Sequence, residues 1–119
     1  MGFNDELRDR TKRYALRIIK LFQSLPKSDE ARVIGKQLLR SGCSVGANFR
    51  AATRGRSSAE FYSKLSIVVE EADESAFWME LLMESEIVSE KKLLPLYNET
   101  IELTKIMAVS RKTAKSNRK

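Results

Sequence analysis

The sequence predicts an all-α protein, an antiparallel up-down-up-down four-helix bundle. Three observations carry that prediction. Apolar residues recur at alternating steps of three and four in four separate stretches, the period of a single helix face. Only two prolines occur, Pro26 and Pro95, and both fall between or at the edges of those stretches. No Asn-Gly or Asp-Gly turn and no sustained apolar/polar alternation marks a strand. At 119 residues the chain is one domain's worth of protein. Folding at that length buries roughly two-thirds of the surface an unfolded chain exposes, enough for a core without disulfides or metals.

The first helix is expected from about Asn4 or Asp5 to Leu25. Leu7, Thr11, Tyr14, Ile18, Leu21 and Leu25 form its inner seam. Asn4 is the expected cap, with Asp5 and Glu6 near the positive helix end. Pro26 ends the helix, because a residue before proline is pushed out of helical backbone space. The second helix starts at Ser28, with Asp29 and Glu30 in its first turn. Its expected seam is Ile34, Leu38, Ser41, Val45, Asn48 and Ala52, and Gly55 is the expected stop after Arg54. Gly35, Gly42 and Gly46 each cost about 1 kcal/mol relative to Ala inside a helix. Their presence implies a close helix approach or a local break near Gly42.

The third helix begins at Ser57 or Ser58, and Ser57 with Glu60 fits a capping box. Phe61, Leu65, Val68, Ala72, Ser75, Met79 and Leu82 form the seam, while Ile67, Trp78 and Leu81 lie off it. Two apolar faces on one helix imply either a central position or self-association. The fourth helix follows a turn around Val88–Lys91. Leu93, Leu96 or Tyr97, Thr100, Leu103 or Thr104, and Met107 form its inner side, with Pro95 in or just before the first turn. The bundle is placed at residues 1–110. Residues 111–119, with only Ala114 as an apolar anchor, read as a basic tail that frays.

Composition excludes whole classes of chemistry. The chain has no His and one Cys, which removes His general-base catalysis, His metal sites, Cys–His pairs and any intrachain disulfide. A lone Cys43 suits a reducing compartment. No run of 18 apolar residues exists, and MGFNDEL lacks the apolar segment of a signal peptide. The expectation is a cytoplasmic protein without a membrane partner, without a cofactor or metal, and without enzymatic activity.

Charge is arranged in blocks. Residues 1–56 hold 13 Lys/Arg against 5 Asp/Glu, residues 57–104 hold 3 against 11, and residues 105–119 hold 6 against none. Basic and acidic helices lying side by side would neutralise each other. Alternatively, the basic ends form a patch for RNA or DNA. Within the helices, Arg40, Ser44 and Asn48 share a face by four-residue steps, and Arg50 and Arg54 extend it. In the third helix Glu70, Glu71, Asp73 and Glu74 crowd into five positions and need facing cations. Arg40, Arg50 or Arg54 is expected to pair with Glu70, Glu71 or Glu74, since the guanidinium fork meets carboxylates bidentately. Replacing Glu71 or Glu74 by Leu should then destabilise the bundle, provided the arginines are buried. A carboxylate metal site is a poor alternative, because the acids sit on one helix with no His. Cys43 and Ser44 have no base nearby in the pattern, and Met79, Met83 and Met107 read as core.

The stretches Gln37 to Ala52 (QLLRSGCSVGANFRAA) and Arg56 to Leu82 (RSSAEFYSKLSIVVEEADESAFWMELL), with weaker matches at Arg10–Arg17 and Thr113–Lys115, resemble the 23S rRNA intervening-sequence protein family. That family is related in fold to the accessory variability determinant proteins of diversity-generating retroelements. The resemblance implies a four-helix bundle assembling as a homopentameric ring, and it implies no enzyme. The retroelement relatives are understood as positively charged adaptors for nucleic acid and a reverse transcriptase.

Two functions follow as expectations. One is a non-catalytic oligomer that binds RNA or DNA through phosphate contacts, from Arg10, Lys12, Arg13, Arg17 and Lys20 on the first helix and from Arg111, Lys112, Lys115, Arg118 and Lys119 in the tail. No aromatic-rich stacking surface is visible. The other is a scaffold that presents charged faces to a protein partner.

Overall fold

Each periodic stretch is a helix in the computed structural model, which describes residues 2–116. The helices are α1 (Phe3–Ser24), α2 (Asp29–Thr53), α3 (Ser58–Glu84) and α4 (Glu90–Ser116). There is no strand among the described residues. Short connections force antiparallel neighbours. α1 packs on α2, α2 on α3 and α3 on α4, while α1 and α4 approach each other least and no helix touches its diagonal partner closely. The result is a rod of 49 × 22 × 22 Å.

The helix ends show why the elements stop where they do. Ser28 caps α2 by accepting from Ala31 N, and Ser57 caps α3 by accepting from Glu60 N at 3.1 Å. The Glu60 carboxylate reaches back to Arg56 N, one residue before the cap. α1 starts one residue earlier than expected. Gly2 is its cap, Asn4 lies inside the first turn, and Asp5 accepts from Gly2 N. Leu25, ahead of Pro26, turns extended and ends α1. Gly55 does follow the α2 terminus, but no glycine adopts positive φ. The left-handed residue is Glu86, φ 62°, in the α3–α4 turn, where Val88 N reaches the Leu82 carbonyl. Pro95 is the sixth residue of α4, deeper than expected. Its missing N–H leaves the carbonyl of Lys91, an exposed residue, to be met by water. α4 also continues through Ser116 with Ala114 buried, so the boundary placed at residue 111 falls inside a helix.

The inner seams of α1, α3 and α4 match the predicted spacing, with Phe61, Tyr97 and Thr104 only partly buried. α2 differs. Phe49 is fully buried, while Asn48 and Ile34 are only half-buried. A strict 3.5-residue seam drifts from a 3.6-residue helix, and the larger apolar side chain takes the inner position. α2 is unbroken at Gly42. A Cβ there would fall 2.8 Å from Ile18, and one at Gly46 would fall 3.2 Å from the Thr11 backbone carbonyl. Close approach of α1 is therefore the reason for these glycines.

At mid-height each helix contributes one buried hydroxyl. Tyr14 (α1) and Thr100 (α4) are 2.7 Å apart, and Ser41 (α2) and Ser75 (α3) are 2.9 Å apart. Ser75 also faces the Tyr14 hydroxyl, joining the two pairs. Thr100 and Ser75 donate in addition to carbonyls four residues back in their own helices. No described buried side-chain polar atom lacks a partner. Burial holds the Tyr14 hydroxyl up at about 12, against an ordinary value of 10.

Candidate nucleic-acid interface

The predicted site residues separate into three groups. Arg10 is committed to carboxylates. Its Nε and Nη2 donate to Glu99 at 2.8 and 2.7 Å, and Nη2 also donates to Glu102 at 2.8 Å. The pairing keeps the Glu99 carboxyl below its usual range and raises the guanidinium further above its own. Arg10 therefore ties α1 to α4 and has little left for a phosphate. Lys12, Arg13, Arg17 and Lys20 are exposed along α1. Of the remaining candidates, Arg111 is half-buried, and Lys112 and Lys115 are exposed on the last turns of α4. Arg118 and Lys119 lie outside the described residues.

The polar network expected between α2 and α3 is present in part. Arg40 donates to Glu71 at 2.9 Å and to Glu74, and Glu74 also accepts from Trp78 Nε1 at 3.0 Å. Arg40 is half-exposed, so the condition for strong destabilisation by Glu71→Leu or Glu74→Leu is not met. Ser44 and Asn48 bond each other within α2, the amide donating to the Ser44 carbonyl and hydroxyl. Glu70, Arg50 and Arg54 make no ion pair among the described residues. Arg50 and Arg54 therefore belong elsewhere.

They belong to one end of the rod. Antiparallel packing brings together the start of α1, the α2–α3 connection and the end of α4. Residues 2–10, 50–64 and 105–116 carry ten Lys/Arg against four acids, Asp5, Glu6, Asp9 and Glu60. At the opposite end, residues 20–32 and 80–92 together carry six acids against five Lys/Arg. Arg54 and Arg56 at the end itself, with Lys64, were not among the predicted contacts. Their signal was the Arg-Gly-Arg run in the α2–α3 connection, which reads from sequence as a helix stop.

A second pattern appears on the flanks. The outward side of α1 carries Lys12, Arg13 and Lys20 around exposed Leu16 and Ile19. The outward side of α3 carries Glu70, Asp73 and Glu84 around exposed Phe77, which packs edge-on against Trp78 at 5.0 Å. α1 and α3 are diagonal in the bundle, so these faces point in opposite directions.

Cys43 is half-buried in a cavity of about 500 Å3 between α1 and α2, lined by Arg8, Lys12 and Arg50 together with Asp5 and Asp9. Desolvation raises its thiol, which disfavours the nucleophilic thiolate. Among the described residues no cluster of three His, Cys, Asp or Glu is placed to hold a metal. No helix there is long and apolar enough to cross a membrane.

These features define an antiparallel four-helix bundle with a cationic end and two flanks of opposite charge. The chain belongs to the 23S rRNA-intervening sequence protein family, which it matches over residues 5–109. It is also similar to a crystal structure of a protein of unknown function from the S23 ribosomal protein family of Bacteroides thetaiotaomicron. The TM-score is 0.85 and the identity 34%, covering 92% of this chain and 97% of that one. No curated protein matches the chain.

Proposed function

We propose that this protein is a non-catalytic, cytoplasmic, self-assembling nucleic-acid-binding bundle that contacts phosphates through its basic end. The carrying observation is the excess of cations over acids at this end, ten to four in residues 2–10, 50–64 and 105–116, with Arg50 and Arg54 making no ion pair among the described residues. Such a surface takes up phosphates and releases their counterions, independent of sequence. The test is fluorescence anisotropy with labelled structured RNA and duplex DNA across a salt series. Affinity should fall linearly in log–log form. Replacing Arg54 and Arg56 by Gln should flatten the slope by about 2, since each lost phosphate contact is worth roughly 0.9. No binding at low salt would overturn this reading and transfer the basic surface to an acidic protein partner.

The two flanks support self-assembly. A basic apolar face on α1 and an acidic apolar face on α3, turned opposite ways, suit a head-to-tail contact between copies, and such contacts close into a ring when the rotation between copies divides a full turn. Five copies is the number the family resemblance implies. Light scattering on Phe77→Glu, an exposed position, should report smaller particles, and an unchanged mass would remove this contact.

A further inference from the structure

The basic end holds a cleft that phosphate contacts alone do not explain. A cavity of about 570 Å3 opens there between the first turns of α1 and α3 and the last turns of α4. Its walls carry Phe3, Phe61 and Val109. Phe3 is 57% exposed and Val109 65% exposed, although both are large apolar side chains. Asn4, Ser58 and Thr113 stand in the same walls, and none of their side chains has a hydrogen-bond partner among the described residues.

We propose that this cleft receives one unpaired base of a single-stranded nucleic acid, with the neighbouring phosphates held by the surrounding cations. The proposal rests on the nucleic-acid reading above and gives it a strand preference. Aromatic walls accept the face of any base, so stacking there is tolerant of sequence. The amide and two hydroxyls supply the donors and acceptors that a base edge needs. The volume falls in the range of sites that enclose a small ligand. Charge selects a polyanion over a neutral or cationic occupant. In sequence Arg54 and Arg56 precede the lining residues Ser57 and Ser58, and Arg111 and Lys112 lie between Ser110 and Thr113, while the Glu60 carboxylate is turned back onto Arg56 N and Asp5 is paired with Arg8. Glu6 and Asp9 are the remaining acids in the first turns of α1. A base stacked inside a duplex cannot enter the cleft, whereas an unpaired one can.

Anisotropy titrations with three probes at one low salt concentration test this. The probes are a short oligouridine, an abasic oligomer of the same length, and a blunt RNA duplex. Oligouridine should bind on the order of tenfold more tightly than the abasic oligomer. Phe3→Ala and Val109→Ser, both at exposed positions, should remove most of that difference and leave duplex binding and its salt slope unchanged. Circular dichroism confirms that each variant is folded. Equal affinity for oligouridine and the abasic oligomer would overturn the cleft and leave the phosphate surface standing. No binding of any probe would overturn both. A change of particle mass in Phe3→Ala, with base preference retained, would make the cleft a contact between copies and overturn its assignment to nucleic acid.

Discussion

The α2–α3 and α1–α4 seams solve the same problem with different means. α2 and α3 meet through small side chains, with Ser41 against Ser75 and Ala72 and Ala76 alongside, so their backbones come close and the Arg40 clamp is left half-exposed at the rim. α1 and α4 stand further apart and are spanned by long side chains, Tyr14 to Thr100 inside and Arg10 to Glu99 above. Here the ion pair is more enclosed, Arg10 at 28% and Glu99 at 18% exposure. A similar residue pair therefore differs in worth. The arginine side sets the difference, since Glu71 is as enclosed as Glu99, and Arg10 is therefore expected to contribute more than Arg40.

The comparison can be broken at four points. The largest effect is expected at the close seam. Ser75→Leu inserts bulk where Ser41 lies 2.9 Å away, and should lower stability by about 2–3 kcal/mol in urea titrations. An effect below 0.5 kcal/mol, roughly the noise of a surface change, would mean the seam can open. Next comes alkaline pH. The Tyr14 hydroxyl titrates at about 12 folded and 10 unfolded, so its contribution is whole below pH 10 and is lost as pH rises towards 12. That loss should be about 2 kcal/mol by linkage, and absent from Tyr14→Phe.

Third, Arg10→Met should cost about 1–2 kcal/mol and Arg40→Met about 0.5 kcal/mol or less. The Arg10 contribution should also fade in acid. Glu99 is held below its ordinary pKa, so its stabilisation is present above the unfolded carboxylate value and disappears as pH falls through the folded one. Equal losses in the two variants would erase the distinction between the seams. The smallest effect lies away from both. Glu86→Gly relieves a left-handed residue and should raise stability by about 0.5–1 kcal/mol, visible as a higher thermal midpoint.

Much of the bundle was legible because helices declare themselves locally. Leu7 to Leu25 on α1 and Leu65 to Leu82 on α3 followed the period of one face, and Ser28 and Ser57 capped where their hydroxyls could reach the next turn. Arg40 with Glu71 and Glu74 was readable because four crowded acids demand cations and the hairpin supplies them. Failures came where tertiary context chose between near-equal local options. Asn48 and Phe49 are neighbours on α2, and the drift of a 3.6-residue helix from a 3.5-residue seam turns Phe49 inward. Arg10 looked like a phosphate ligand until α4, 89 residues later, placed Glu99 beside it. Phe3 and Phe61 share a cleft through the fold alone, and no spacing rule links them.

The chain of four hydroxyls, one from each helix, has a consequence for how the molecule comes apart. Sliding any one helix by a turn would strand partners on the others, so the amide protons at the middle of the rod are expected to exchange only when the whole bundle opens. Beyond that belt the two ends share no such lock. The last turns of α4 and the first of α1 are then expected to open before the waist does.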